Sequence, residues 1–271
     1  DMSLLLCRQE PVETPYYVEA LGIHLYSSQK LCYVIYHHPL LVMEDFVDDR
    51  LIGFLRSELR MPFLAERIEK WLESRGASDE LLFLILQHCA YCSPNEQALF
   101  RQKVTAYRKL PEEEYEKARA DYFYRIRLYG KAISVYERIL EADREKKLSG
   151  SFRAKIWNNI ASCYTKLFCY QKAMHAYDCA WDAEESEEFI KRMYLLTVME
   201  PMLEVKEKYL SMMTEDKREE WDQLAEAAAA ESEQEEPVRR MEKLFQKDPI
   251  KRMAGAGDVL NRWKVEYRRM I

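Results

Sequence analysis

Between Trp157 and Ala180 the chain reads WNNIASCYTKLFCYQKAMHAYDCA, and large and small apolar side chains recur there at helical spacing. Trp157, Ile160, Ala161 and Tyr164 fall at i, i+3, i+4 and i+7, one face of a helix. Ala173, Tyr177 and Ala180 repeat the pattern on a second helix, and Leu167 to Gln171 is a connection of the length that joins antiparallel neighbours. Alanine at 161 and 173 lets two backbones approach, while aromatic rings fill the space beside them.

An earlier copy runs from Tyr115 to Leu140. Its Ala120, Phe123, Ala132, Tyr136 and Ile139 match Ala161, Tyr164, Ala173, Tyr177 and Ala180 in type and internal spacing, at an offset of 41 residues. Glu116 stands in the place of Trp157, and Gly130 opens the second helix. Beyond them a degenerate pair, without the small residues of a proper repeat, is expected to form capping helices. Phe189, Met193 and Leu196 suit a helix that stops at Pro201, and Leu203 to Met213 suits another.

In residue type and spacing, 113–184 resembles the tetratricopeptide-repeat superfamily. That resemblance implies helical hairpins stacked side by side, a curved surface and protein binding rather than chemistry. The offset exceeds the roughly 34 residues of the standard repeat by about seven. A two-turn helix extension followed by a loop, between Leu140 and Ile156, is the simplest account. The expected fold class is all-α: a tetratricopeptide-like solenoid with an amino-terminal helical region and capping carboxyl-terminal helices.

Composition agrees. Hydrophobic residues make up 48% and charged residues 32% of the 271, which suits a globular chain with solvated helix faces. Only seven glycines, and little strand-like alternation, argue against a sheet-rich fold. No apolar run reaches the roughly 18 residues of a membrane span, and the Leu4 to Leu6 run before Cys7 lacks the basic flank of an export signal. A cytoplasmic protein is the expectation. The seven cysteines, at 7, 32, 89, 92, 163, 169 and 179, fall mostly on apolar helix faces. His88, Cys89 and Cys92 have metal-like spacing, but a structural zinc site wants four ligands and no second close pair exists. No metal and no cofactor is expected.

Four regions follow. Residues 1–92 read as a helical region. Ser27 or Ser28 caps a helix that Pro39 ends, and a second runs from Asp48 to Leu59. A third begins at Pro62 and turns Leu64, Ile68, Trp71 and Leu72 inward until Gly76. Ser78 caps a fourth that carries LLFLIL. Residues 93–213 form the repeat region, introduced by Ser93-Pro94-Asn95-Glu96, the pattern of a capping box. Residues 214–246 form a charged helical segment: 215–236 holds ten acidic and two basic side chains. Residues 247–271 form a basic tail with seven basic and three acidic side chains, on which Leu260, Trp263, Tyr267 and Met270 make an apolar stripe.

Residues 1–92 carry 8 basic and 14 acidic side chains, a balance that offers no face for neutralising phosphates, so no nucleic acid is expected. Nor is there a glycine-rich phosphate loop, an H-E-x-x-H or a recognisable nucleophile, and no enzymatic activity is expected. The superfamily lines its inward surface with the first helix of each pair. Carried over by position, that surface comprises Lys117, Asp121, Tyr124 and Arg125, then Lys155, Asn158, Asn159, Ser162, Thr165 and Lys166. These amides, hydroxyls and cations suit an unknown protein or peptide partner. Lys117 and Asn159 also resemble two elements of the clamp with which some family members hold a terminal carboxylate. Asp121 stands where that clamp has asparagine, and an acid there repels a carboxylate. The oligomeric state is not set by the sequence.

Overall fold

The computed structural model describes residues 12–143 and 147–233. They are mostly helical and divide into two compact units, meeting between Tyr115 and Glu116.

The first unit opens with a small antiparallel hairpin, β1 (Tyr16–Val18) on β2 (Ile23–Leu25), which the sequence did not lead us to expect. Three residues per strand are too few for alternation to register. Gly22, at φ +65°, makes the turn. Then follow α1 (Ser28–His37), α2 (Pro39–Val42) and α3 (Asp49–Gly53), the last continued by a single π-helical stretch, Phe54–Glu58. Ser27 and Asp48 cap α1 and α3 through hydrogen bonds from the Lys30 and Leu51 amides. The unit is completed by α4 (Pro62–Glu73), α5 (Asp79–His88) and α6 (Pro94–Arg108). Leu64 and Ile68 of α4 are buried, but Trp71 and Leu72 are not, contrary to expectation. Five of the six residues in the LLFLIL run of α5 are buried, which puts that helix at the centre of the core.

At α6 the capping box is complete: the Glu96 amide donates to Ser93 Oγ, and Glu96 accepts from the Ser93 amide. The sequence suggests that α6 opens the repeat region after residue 92, whereas it packs back on α5 and belongs to the first unit. Gln97 donates to the Phe83 carbonyl and Phe100 meets Phe83 edge to face. Arg108, at the end of α6, donates two bonds to Asp79 at 2.9 and 2.8 Å and a third to Glu44 at 3.0 Å.

The second unit contains most of α7 (Glu112–Arg125), then α8 (Tyr129–Ala142), α9 (Gly150–Lys166), α10 (Tyr170–Ala183), α11 (Glu187–Met199), the single-turn α12 (Glu207–Leu210) and α13 (Glu215–Glu233). Each of α8 to α10 packs on the next, and α11 packs on α13. Ala120, Ala132, Ala161, Ala173 and Ala180 have no exposed surface at all, and Phe123, Tyr136, Ile139, Ile160 and Tyr177 are buried around them.

The two hairpins turn in the same way. Arg127 and Phe168, 41 residues apart, take positive φ of 64° and 59°. Leu128 and Cys169, the next residues, share φ −91° and ψ 63°. The Leu128 amide donates to the Phe123 carbonyl at 2.8 Å, and the Cys169 amide to the Tyr164 carbonyl at 2.9 Å. The turn residues themselves differ (Arg127-Leu128 against Phe168-Cys169), but Tyr129 and Tyr170, Lys131 and Lys172, and Ala132 and Ala173 follow them in both hairpins, and one turn geometry results.

The extra residues between the hairpins lie elsewhere than expected. Helix α8 stops at Ala142, and the additional length is at the start of α9, which begins at Gly150 under a Ser149 cap. Glycine is needed there, since a Cβ on Gly150 would sit 2.5 Å from the Ala183 carbonyl oxygen. Helix α9 thus starts early.

The expected helix over 189–200 is α11, but the stretch 203–213 contains only the short α12. The charged segment is helical as far as Glu233, and the basic tail 247–271 lies outside the described residues.

Candidate functional site

Four of the residues carried over from the resemblance meet at one place, where α7, α8 and α9 come together. Asp121 is its centre. Its Oδ2 pairs with Lys117 Nζ at 2.7 Å, one turn earlier on α7. Its Oδ1 accepts from Asn159 Nδ2 on α9 at 3.1 Å and from the Tyr136 hydroxyl on α8. Asn159 Nδ2 also lies 3.2 Å from the Tyr136 oxygen, and Asn158 Nδ2 lies 3.4 Å from Asn159 Oδ1. Asn158 Oδ1 is buried with no donor among the described residues.

This network perturbs its members. Burial, then the bond to Asp121, holds the Tyr136 hydroxyl well above the usual tyrosine range. Burial pushes the Cys163 thiol up to about 12, with the Asp121 charge adding to it. Both groups are neutral at any physiological pH.

The remaining candidates are spread along the two helices. Tyr124 packs edge-on against Tyr129, 5.3 Å between centroids, and burial raises its hydroxyl pKa. Ser162 and Thr165 spend their hydroxyl protons on the Asn158 and Ala161 carbonyls of their own helix. They keep lone pairs for an incoming donor. Arg125 is exposed but stacks over Tyr122 at 4.8 Å, away from the network. Lys155 and Lys166 are exposed near the two ends of α9. Candidate contacts therefore sort into a cross-linked polar centre, two aromatic or hydroxyl-bearing flanks and two solvated cations.

The arrangement is unsuited to gripping a terminal carboxylate. Lys117 is neutralised by Asp121, and Asn159 already donates to the same carboxylate. A second anion would meet the Asp121 charge first.

Two features escaped the sequence. Tyr136 reads as core from its spacing, and so it is, at 1% exposure, yet its hydroxyl is the pivot of the polar centre. A buried tyrosine needs a partner for its proton, and that rule was the available signal. The second is Asp178 on α10, a buried carboxylate residue. It accepts from the Tyr209 hydroxyl at 2.5 Å and from Lys206 Nζ, while Lys208 Nζ stands 3.4 Å away. Burial opposes its ionisation, but the bonds from Lys206 and Tyr209 prevail and hold its pKa below the usual value. The group fastens α12 and the strand of chain before it onto α10, beside a shallow cleft of about 250 Å³.

Among the described residues no three His, Cys, Asp or Glu side chains converge as metal ligands, and no helix is long and apolar enough to cross a membrane. Comparison with protein-family models, curated proteins and solved structures gave no match.

Proposed function

We propose that this chain is a protein-interaction scaffold of the tetratricopeptide-like kind, in which α7 and α9 together hold a peptide or helix from a partner protein. The observation that carries the reading is the Asp121–Asn159 hydrogen bond. It links the first helices of two consecutive hairpins, which supports the neighbour relation that a concave repeat surface needs. The shared turn at Arg127 and Phe168 supports the same reading, because it gives both hairpins one geometry.

The chemistry on offer is adhesive. Half-buried amides and hydroxyls suit the backbone groups of a peptide, and Lys155 and Lys166 suit acidic side chains on either side of it. The described cysteines carry thiols rather than disulfides, which supports a reducing, cytoplasmic setting.

Capture from lysate with the full chain tests this. The Lys155→Glu, Lys166→Glu double variant is expected to lose the captured partner while melting at the wild-type temperature. A partner retained in full by that variant would exclude this face.

A further inference from the structure

Helix α4 exposes two aromatic residues, Phe63 and Trp71, and the surroundings of Trp71 give that ring a role. Trp71 forms one wall of a cleft of about 400 Å³ bounded by α4, α5 and one side chain of α6, a volume within the range of small-molecule sites. The ring is fixed in place. Its indole N–H donates to the Ala77 carbonyl at 2.9 Å, and the chain passes so close at Gly76 that a Cβ there would fall 2.4 Å from the ring. An aromatic wall held this way loses little freedom when a ligand stacks on it.

Phe83 and Leu84 add apolar surface, and Arg101 is fixed above Phe83 at 3.9 Å from its centroid. The charges at the rim are unequal. Lys70 is paired with Glu66 at 2.7 Å, and Arg101 with Glu80 through two nitrogens. Arg67 is the lining cation with no carboxylate partner among the described residues. Gln87, also at the rim, offers an amide donor. One uncompensated guanidinium beside one fixed aromatic plane calls for one negative charge on a flat apolar group.

We infer that this cleft binds an aromatic monocarboxylate, with the ring against Trp71 and the carboxylate on Arg67. The same chemistry is presented by a free aromatic acid and by a peptide that ends in an aromatic residue. The site belongs to the first unit and is independent of the α7–α9 face.

Titration of the full chain by NMR, following the Trp71 indole N–H, distinguishes the two sources. The probes are indole-3-acetate with neutral indole as its control, and Gly-Gly-Phe with a free or an amidated end. Saturable shifts are expected with a carboxylate probe, and the tighter of the two identifies the source. Loss of the carboxylate, or Arg67→Glu, should weaken binding roughly tenfold or more, and Arg67→Gln should weaken it in the same direction. Arg67 is exposed, so both variants should keep the wild-type melting temperature. Absence of a saturable shift with both carboxylate probes, or an affinity within about twofold in Arg67→Glu, would overturn the assignment.

Discussion

Asn159 donates to Asp121 across 3.1 Å and so joins two helices that lie 38 residues apart in the chain. The acceptor oxygen is the one that also receives the Tyr136 proton, so a single carboxylate oxygen ties three helices together. Removing it leaves a buried hydroxyl with no acceptor of comparable strength. Asp121→Ala is expected to cost about 1–3 kcal/mol, and Tyr136→Phe about 1 kcal/mol. In a double-mutant cycle by urea unfolding the two should be non-additive, because each removes the same bond.

The same centre makes the fold sensitive to base. The Cys163 thiol titrates near 9 when unfolded and near 12 when folded. Its raised value contributes stability in full below pH 9, and that contribution is lost as the pH rises toward 12, where the unfolded chain has already given up the proton. Over that interval each such group lowers stability by about 1.4 kcal/mol per pH unit. Cys163→Ala should flatten the decline between pH 9 and 10, before Tyr136 adds its own share. An unchanged slope in unfolding experiments across that range would show that Cys163 is not the source.

Asp178 anchors the chain beyond α11. Asp178→Ala strands the Tyr209 hydroxyl, which is 1% exposed, and should cost about 1–3 kcal/mol. Amide hydrogen exchange should quicken across 203–213 and leave α9 unaffected. With its pKa held below the ordinary 3.8, the carboxylate contributes stability above that pH and loses it as acid protonates the folded form.

Two backbone positions carry opposite expectations. Gly150→Ala forces a Cβ against the Ala183 carbonyl oxygen and should destabilise by about 1–3 kcal/mol although alanine is the better helix former. Phe168 sits at φ 59° and is 75% exposed, so Phe168→Gly removes backbone strain at the loss of little beyond an edge contact with Tyr170. That relief is about 1–2 kcal/mol, offset by about 0.4–1 kcal/mol of chain entropy, and a small net gain should appear as a higher melting temperature.

Helices were the legible part of this chain. Ser27, Asp48, Pro62 and the Ser93–Glu96 box place four helix starts, because caps are local chemistry written in adjacent residues. The alanine and aromatic spacing likewise leads to the buried faces of α8, α9 and α10. What stayed hidden depends on distant neighbours. Trp71 and Leu72 fit the inward period of α4, yet that helix buries a narrower stripe, and the loop at Gly76 takes the space beside Trp71. The early start of α9 depends on the room that Gly150 leaves for Ala183, 33 residues away. Asp178 finds its donors 28 and 31 residues on, in a stretch without periodicity. Lys117, Asp121 and Asn159 stand out in the sequence one at a time; that they bind one another was not readable there.

The α7–α9 face is the proposed seat of a partner protein. Photocrosslinking inside the cell of origin addresses it directly, with a benzophenone side chain at Lys155 on α9 or, for comparison, at the exposed Arg138 on α8. One dominant protein adduct is expected from position 155 and none of that mass from position 138. Equal adducts from both positions, or none from 155, would contradict it.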